Sequence, residues 1–123
     1  MVKTILLVDD SPISRKMLKS CIPKDQGYEF HEAGDGLEGL NKYKELQPDL
    51  TFMDLTMPVM DGATALREIM EFDDRAVVVV STADIQMKSI TNVLDLGAFL
   101  VLKKPPTKEN VWDAISQAAE VSR

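Results

Sequence analysis

Five short apolar runs alternate with five amphipathic segments, and this alternation limits the possible folds more than any other feature of the chain. Each run has the length of a β-strand. The runs are Thr4 to Val8, Phe30 to Ala33, Leu50 to Met53, Ala76 to Val80 and Phe99 to Leu102. The segments that follow them repeat apolar residues at helical spacing. The sequence therefore predicts a (βα)5 chain, an α/β fold in which a doubly wound parallel sheet is covered by helices on both faces.

Residues at the ends of the predicted helices agree with this periodicity. Ser11 stands before a proline, which is typical of a helix start, and Asp35 is followed three residues later by a glutamate, as in a capping box. Thr107 can cap the last helix. Residues 77–80 are apolar throughout, as expected of a central strand, whereas Phe30 to Ala33 is mixed in polarity and suits an edge strand.

The length and charge of the chain restrict its class. Its 123 residues suffice for one ordinary hydrophobic core, so we expect a single domain over residues 1–123 without an output domain. The net charge of −6 argues against unaided binding to nucleic acid or to an anionic membrane. The longest apolar run is far shorter than the roughly 20 residues of a membrane helix, and a signal-peptide pattern is missing, which indicates a cytoplasmic protein. Cys21 is the only cysteine and is expected to be structural.

Three carboxylates come directly after predicted strands. Asp9 and Asp10 close the first strand, and Asp54 follows the third. Parallel strands bring their carboxyl ends to the same edge of a sheet, where α/β proteins bind ligands. Acids this close repel one another unless they share a hard cation, for which carboxylate oxygens are the preferred ligands. The residues therefore predict a Mg²⁺ site at this edge.

A hydroxyl and an ammonium group are expected at the same edge. Thr82 comes at the end of the fourth strand and Lys104 at the end of the fifth. Mg²⁺, a lysine and a hydroxyl together can share the charge on the outer oxygens of a phosphoryl group. Asp54 is the natural nucleophile because it stands alone on a central strand, whereas Asp9 and Asp10 form a pair suited to holding metal.

With these residues the chain resembles the receiver domains of two-component response regulators, and among them the free-standing, CheY-like members. The resemblance extends over the whole chain and rests on five motifs in a fixed order. They are Asp9-Asp10, the segment from Asp54 to Gly62, Thr82-Ala83, Gly97-Ala98 and Lys104-Pro105. It implies the flavodoxin-like strand order 2-1-3-4-5.

The resemblance also implies a role for each site residue. Asp54 is expected to receive a phosphoryl group from a phosphohistidine on a histidine kinase or histidine phosphotransfer protein. Asp9 and Asp10 would hold Mg²⁺, with Asp10 as the direct ligand and Asp9 acting partly through water. Asp54 and the backbone carbonyl of Thr56 would complete the protein ligands.

Further implied roles concern the remaining motif residues. Thr82 is expected to be the switch hydroxyl and Lys104 the lysine that pairs with the phosphoryl group. Lys104 is preferred to Lys103 because a proline follows it, and Lys103 is expected to point away. Pro105 would follow a cis peptide bond, and Gly62 would give its loop the necessary backbone freedom.

Two positions depart from the family pattern. Val101 stands where the best-known members carry an aromatic switch residue, and Phe99 is expected on the same face of the strand. Pro106 replaces a common aromatic residue and is expected to stiffen the loop that partners contact. We therefore expect the switch to rest on Thr82 and the loop before the fourth helix.

The resemblance places the output surface on helix four, strand five and helix five, where it would bind a downstream target protein. Candidate residues are Ile85, Gln86, Val101 and Lys103. Thr56 and Asp84 flank the site and are candidates for setting the rate of phosphoryl hydrolysis.

Other functions remain as alternatives. A phosphatase of the haloacid dehalogenase type also uses an aspartate nucleophile but resembles an Asp-x-Asp pattern that this chain lacks. A flavin carrier would need a phosphate loop where Asp9 and Asp10 lie. Chemotaxis, a phosphorelay shuttle and a phosphorylation-independent adaptor all remain open as the pathway. His31 is expected to pack locally on the edge strand, away from the chemistry.

Overall fold

A computed structural model describes residues 2–83 and 85–121, which form a single parallel sheet with helices on both faces. The strands are β1 (Thr4–Val8), β2 (Glu29–Ala33), β3 (Leu50–Asp54), β4 (Val78–Thr82) and β5 (Leu100–Lys103). The helices are α1 (Pro12–Ser20), α2 (Gly36–Leu46), α3 (Gly62–Phe72), α4 (Met87–Asp95) and α5 (Lys108–Val121), with a short 3₁₀ turn at Lys24–Gln26. The predicted alternation of strand and helix is confirmed.

The sheet has the order β2-β1-β3-β4-β5, and all four strand pairs are parallel. This is the flavodoxin-like order that the family resemblance implied. β2 lies at one edge, as its mixed polarity predicted, and β4 is fully buried between β3 and β5. Because β1 and β3 are neighbours, the residues that follow them meet at the middle of the carboxyl edge.

Two separate apolar cores hold the helices to the sheet. On one face, residues of α2, α3 and α4 such as Leu40, Leu66 and Val93 pack against the sheet. On the other face, Leu18 of α1 and Ile115 of α5 pack against it. Alternate residues of each strand supply the two cores, because successive side chains of a strand point to opposite faces. The doubly wound arrangement is confirmed.

Strands β3, β4 and β5 end later than their apolar residues predict, whereas β1 and β2 end at Val8 and Ala33 as predicted. β4 runs to Thr82 rather than to Val80, and β3 includes Asp54. Backbone pairing continues past the last apolar side chain, since Asp54 pairs with Ser81 and Thr82 with Lys103. Asp54 and Thr82 therefore lie on the sheet itself, whereas Asp9 and Lys104 directly follow their strands.

The predicted helix caps are present. Ser11 accepts a hydrogen bond from the backbone N–H of Ser14 at 3.2 Å, and Asp35 accepts one from Glu38 at 2.8 Å. Thr107 accepts one from the backbone of Asn110 at 3.1 Å. None of the helices within residues 2–83 and 85–121 is long and apolar enough to cross a membrane.

Thr51 places an unpaired hydroxyl in the middle of the sheet. Its side chain is fully buried on β3, and its Oγ1 finds no hydrogen-bond partner among the described residues. A buried polar group without a partner loses its bonds to water and gains none in return. This hydroxyl therefore lowers the stability of the fold.

We expect Thr51→Val to raise the free energy of unfolding by about 1 kcal/mol, because valine has nearly the same shape and removes the unpaired hydroxyl. Urea unfolding of both proteins measures this difference. Thr51→Ser is the matched control: it keeps the hydroxyl, loses a buried methyl group and should destabilise the fold. A valine variant less stable than the wild type would show that the hydroxyl is satisfied.

Candidate functional site

Four neighbouring strands each deliver one polar side chain to the carboxyl edge of the sheet. Asp9 follows β1, Asp54 ends β3, Thr82 ends β4 and Lys104 follows β5. Asp9, Asp54 and Thr82 are all buried, and Lys104 is half-buried. The fold thus brings together residues that are up to 95 positions apart in the chain.

Three acids form a cluster that can hold a metal ion. One carboxylate oxygen from each of Asp9, Asp10 and Asp54 lies within 4.8 Å of the other two. Asp9 and Asp54 are buried, while Asp10 is exposed at the mouth of the cluster. All three donors are hard oxygens with negative charge, which suits a hard divalent cation such as Mg²⁺. The residues therefore fit the predicted metal.

Lys104 binds two of these acids directly. Its Nζ lies 2.8 Å from Oδ2 of Asp9 and 3.2 Å from Oδ1 of Asp54. The backbone N–H of Lys104 donates to the carbonyl of Thr82 at 2.9 Å, and the Lys104–Pro105 peptide is cis, as predicted. Lys103 is exposed. The ammonium group at the site therefore belongs to Lys104, where the sequence placed it.

Burial and neighbouring charges shift the pKa values of the central pair. Burial raises the pKa of Asp54 above its ordinary value of 3.8, and the acids Asp9 and Asp10 add to this, while Lys104 opposes it. Burial works against the charged form of Lys104, but its contacts with Asp9 and Asp54 outweigh this effect and raise its pKa. Ionisation of the Asp54 carboxyl is thus disfavoured, while the neighbouring Lys104 ammonium is held in its charged form.

We expect Asp54→Asn to stabilise the metal-free fold at neutral pH. The folded-state pKa of Asp54 lies above its unfolded value, so the ionised carboxylate costs stability at any pH above both values. This cost disappears as the pH falls through the folded pKa and then below 3.8. Urea unfolding in EDTA from pH 7 to pH 3 should show the gap between variant and wild type closing with acidification. If the wild type instead loses stability relative to Asp54→Asn as the pH falls, the ionised carboxylate of Asp54 stabilises the fold through its contact with Lys104.

Thr82 lies at the end of β4, next to β5 in the sheet. It is only 4% exposed and pairs in register with Lys103 of β5. The N-cap of α4 is Gln86, so Thr82 does not serve as the cap of that helix. Asp84, proposed to tune hydrolysis, lies outside the described residues. Thr56 is exposed two residues after Asp54, and the ligand role of its carbonyl stays a prediction.

The structure corrects the expected position of Phe99. Val101 packs against the core on the α2, α3 and α4 side of the sheet, whereas Phe99 packs against the opposite core. Phe99 precedes β5, so the strict alternation of an extended strand does not extend to it. Phe99 therefore cannot fill space beside Val101. Neither position 99 nor position 101 places an aromatic ring on the face of the sheet that α2, α3 and α4 cover.

The expectation that Gly62 supplies backbone freedom to its loop is also wrong. Its φ is not in the left-handed region, so backbone freedom is not what the position requires. A Cβ at Gly62 would instead lie 1.9 Å from the backbone oxygen of Asp54. The N–H of Gly62 donates to the carbonyl of Leu55 at 2.9 Å, which holds the start of α3 tightly against the end of β3. Glycine is needed for close approach.

The loop that carries Thr56 contains a strained residue. Val59 has a φ of 68°, and the N–H of Met60 donates to the carbonyl of Pro58 at 2.7 Å across it. This is a three-residue turn in the left-handed region, which β-branched residues rarely adopt. No sequence signal marks the strain, because valine is not a turn residue.

A cavity of about 280 Å³ opens beside Lys104, between α1 and the loop after β5. Pro105 and Pro106 form one wall, and Arg15 of α1 lies on the other side. Cys21 is half-buried with its Sγ 3.7 Å from the carbonyl of Pro106. The loop after β5 thus lies beside α1. The expected stiffening of this loop by Pro106 stays a prediction.

Other predicted residues lie away from the cluster. His31 is on the edge strand β2, with its Nε2 2.9 Å from Oε2 of Glu29, and takes no part in the site, as expected. Ile85, Gln86 and Lys103 are exposed around α4 and β5, where the output surface was predicted. The contact of Arg15 with the backbone of Asp9 was not predicted from the sequence.

A parallel sheet of this order, with an acid cluster, a hydroxyl and a lysine at its carboxyl edge, defines a receiver domain. A family model described as the response regulator receiver domain matches residues 5–116. The chain therefore belongs to the response regulator receiver domain family.

Within that family the chain is similar to CheY proteins. The chemotaxis protein CheY of Thermotoga maritima is 40% identical, over 98% of this chain and 100% of that protein. The chemotaxis protein CheY of Bacillus subtilis is 38% identical, over 95% of this chain and 98% of that protein. A chain in the crystal structure of the CheX-CheY-BeF3-Mg²⁺ complex from Borrelia burgdorferi superposes with a TM-score of 0.88 at 32% identity, covering 95% of this chain and 89% of that one. The chain is thus a receiver of the CheY type.

Proposed function

We propose that this protein is a phosphorylation-controlled switch of a two-component system in which Asp54 is the phosphoacceptor. The observation that carries the proposal is the position of Asp54: a buried carboxylate inside a three-acid cluster, 3.2 Å from the ammonium of Lys104. A carboxylate beside two further acids needs nearby cations to react. This site offers the ammonium of Lys104, and its acids can bind a divalent metal ion. The relatives named CheY favour a role in chemotaxis.

The chemistry follows from these positions. An oxygen of Asp54 attacks the phosphorus of a phosphohistidine on a histidine kinase or phosphotransfer protein, a P–O bond forms, and the P–N bond breaks with its electron pair returning to the imidazole. Bound Mg²⁺, held by Asp9, Asp10, Asp54 and the carbonyl of Thr56, would supply charge stabilisation for the phosphoryl oxygens. Lys104 is in place to pair with one of them.

The phosphoryl group then alters a surface. Thr82 lies at the end of β4, one residue before the loop to α4, so a hydroxyl that turns toward the new oxygens moves the start of that loop. The phosphoryl group shifts the population of shapes only through such differential contacts. We propose that residues 1–123 act as one cytoplasmic receiver unit that catalyses only its own phosphorylation and dephosphorylation and passes the signal by binding a target protein.

Phosphorylation with and without metal tests this function. The protein should gain one phosphoryl group from acetyl phosphate, or from a phosphohistidine donor protein, in the presence of MgCl₂ and none in EDTA, as read by intact mass. A phosphorelay shuttle would pass the group on to a second histidine, and an adaptor would bind its target equally well in both states. A protein that stays unmodified under all conditions would contradict the proposal.

We expect Thr82→Ala to uncouple phosphorylation from the surface change. The variant keeps Asp54, Lys104 and the acid pair, so it should accept the phosphoryl group within about tenfold of the wild-type rate. The amide resonances of Ile85, Gln86 and Lys103 should then shift much less on phosphorylation than in the wild type, as measured by ¹H–¹⁵N spectra.

Val101→Ala is the matched control for this prediction. Val101 is β-branched and has few rotamers, so it cannot swing between buried and exposed positions as an aromatic ring does. Its truncation should leave the phosphorylation-induced shifts nearly unchanged. Shifts abolished as fully as in Thr82→Ala would make position 101 a working part of the switch.

A further inference from the structure

Arg15 connects the acid cluster to the edge of the sheet. Its Nη1 donates to the backbone carbonyl of Asp9, and its Nε donates to Oε1 of Glu32 at 2.8 Å. The side chain leaves α1 and is only 17% exposed. Hydrogen bonds donated by a charged guanidinium are stronger than hydrogen bonds between neutral groups. Both contacts therefore hold the guanidinium of Arg15 in place.

The carbonyl that Arg15 binds belongs to the peptide between the two acids of the pair. The other polar groups of Asp9 are already engaged: its N–H donates to Ala33 at 3.1 Å, Oδ1 accepts from the N–H of Ser11 at 2.9 Å, and Oδ2 accepts from Lys104. Arg15 fixes the remaining group. Since a peptide is planar, fixing this carbonyl also fixes where the Cα of Asp10 lies relative to Asp9.

Glu32 holds Arg15 from the far side. It lies on β2, directly beside β1 in the sheet, and also pairs with Lys19 at 3.3 Å. The hydrogen bond from Arg15 keeps the pKa of Glu32 below its ordinary value, so its charge balances that of Arg15. The guanidinium thus binds near the acids without adding an uncompensated positive charge there.

We infer that Arg15 is a positioning residue for the divalent cation site, held in place by Glu32. It orients the peptide between Asp9 and Asp10 so that both carboxylates face the point they share with Asp54. This inference rests on the proposed function, because it concerns the metal that the acid cluster would bind.

A charge effect and a positioning effect of Arg15 have opposite signs. If only the positive charge of Arg15 mattered, its removal would strengthen Mg²⁺ binding, because a nearby cation repels the metal. If Arg15 positions the acids, its removal weakens Mg²⁺ binding even though one positive charge is lost. The sign of the change therefore separates the two effects.

Titration of the purified protein with MgCl₂, followed by calorimetry, tests this inference. Arg15→Ala should raise the dissociation constant of Mg²⁺ about tenfold, as loss of an outer contact to a metal ligand typically does. Arg15→Lys keeps the charge and most of the stem but cannot reach both partners, so it should also bind more weakly. The double variant Arg15→Ala with Glu32→Gln should bind no more weakly than Arg15→Ala alone, since Glu32 acts through Arg15.

Lys19→Ala is the matched control, because Lys19 also pairs with Glu32 but does not contact Asp9. It should leave the Mg²⁺ affinity within twofold of the wild type. The ¹H–¹⁵N resonance of the Asp10 amide in EDTA gives a second readout, and it should move in the Arg15 variants and not in Lys19→Ala. Urea unfolding of each variant confirms that the compared proteins are folded.

Two outcomes are distinguished by this design. Arg15 variants that bind Mg²⁺ as tightly as the wild type, or more tightly, would overturn the positioning role while leaving the proposed function intact. A wild-type protein that binds no Mg²⁺ would overturn the proposed function itself.

Discussion

Asp54→Asn will be unable to accept a phosphoryl group from acetyl phosphate or from a phosphohistidine donor. The amide is a poor nucleophile, whereas Asp54 offers a buried carboxylate at the end of a central strand, 3.2 Å from the ammonium of Lys104. Loss of the group that forms the covalent bond should reduce phosphorylation below detection. Intact mass after reaction in MgCl₂ should show only the unmodified variant.

Asp61→Asn is the control for this result. Asp61 lies in the loop after β3 and caps α3 by accepting from the N–H of Thr64 at 2.8 Å. Asparagine caps helices as well as aspartate, so this variant should fold and be phosphorylated like the wild type. If Asp54→Asn still gained one phosphoryl group, another carboxylate of the cluster would be the acceptor, and peptide mapping would identify it.

Asp10→Asn will weaken Mg²⁺ binding at least about tenfold while leaving the metal-free fold as stable as the wild type or more stable. Asp10 is the exposed member of the cluster, so its removal leaves the buried contacts between Asp9 and Lys104 intact. One negative charge fewer also relieves repulsion from the other two acids. Calorimetric titration with MgCl₂ and urea unfolding in EDTA measure the two effects separately.

Asp25→Asn makes the same change in net charge at an exposed position remote from the site. Asp25 lies in the 3₁₀ turn after α1 and is bonded only locally, to Gln26, in the described part of the chain. The Mg²⁺ affinity of the Asp25→Asn variant should equal that of the wild type. A clear loss of metal-free stability in Asp10→Asn would show that Asp10 contributes to the fold rather than to a shared acidic site.

Apolar patterning was sufficient to predict the kind of every strand and helix but not where β3, β4 and β5 end. The run at Ala76 to Val80 marks a buried strand, yet the strand extends to Thr82 because its backbone pairs with β5 beyond the last valine. Pairing partners are not encoded locally, so a rule based on side-chain polarity ends the strand too early. The strand order likewise came from family resemblance and not from periodicity.

The acids and Lys104 could be predicted because each lies at a strand end, where the topology alone brings them together. The contact of Arg15 with the backbone of Asp9 could not, because it depends on a helix side chain reaching over a strand pair. The position of Phe99 was misjudged for a related reason: alternation applies only within an extended strand, and Phe99 lies before β5 begins.

The contact between Lys104 and Asp9 has a consequence for how the protein is made. The two residues are 95 positions apart, and Lys104 follows the last strand at the far edge of the sheet from β2. During synthesis or refolding, Asp9, Asp10 and Asp54 can meet before β5 has docked, but they then lack their ammonium counter-ion. A molecule in which β5 has not yet docked therefore holds Asp54 without the ammonium group that lies 3.2 Å from it in the complete fold.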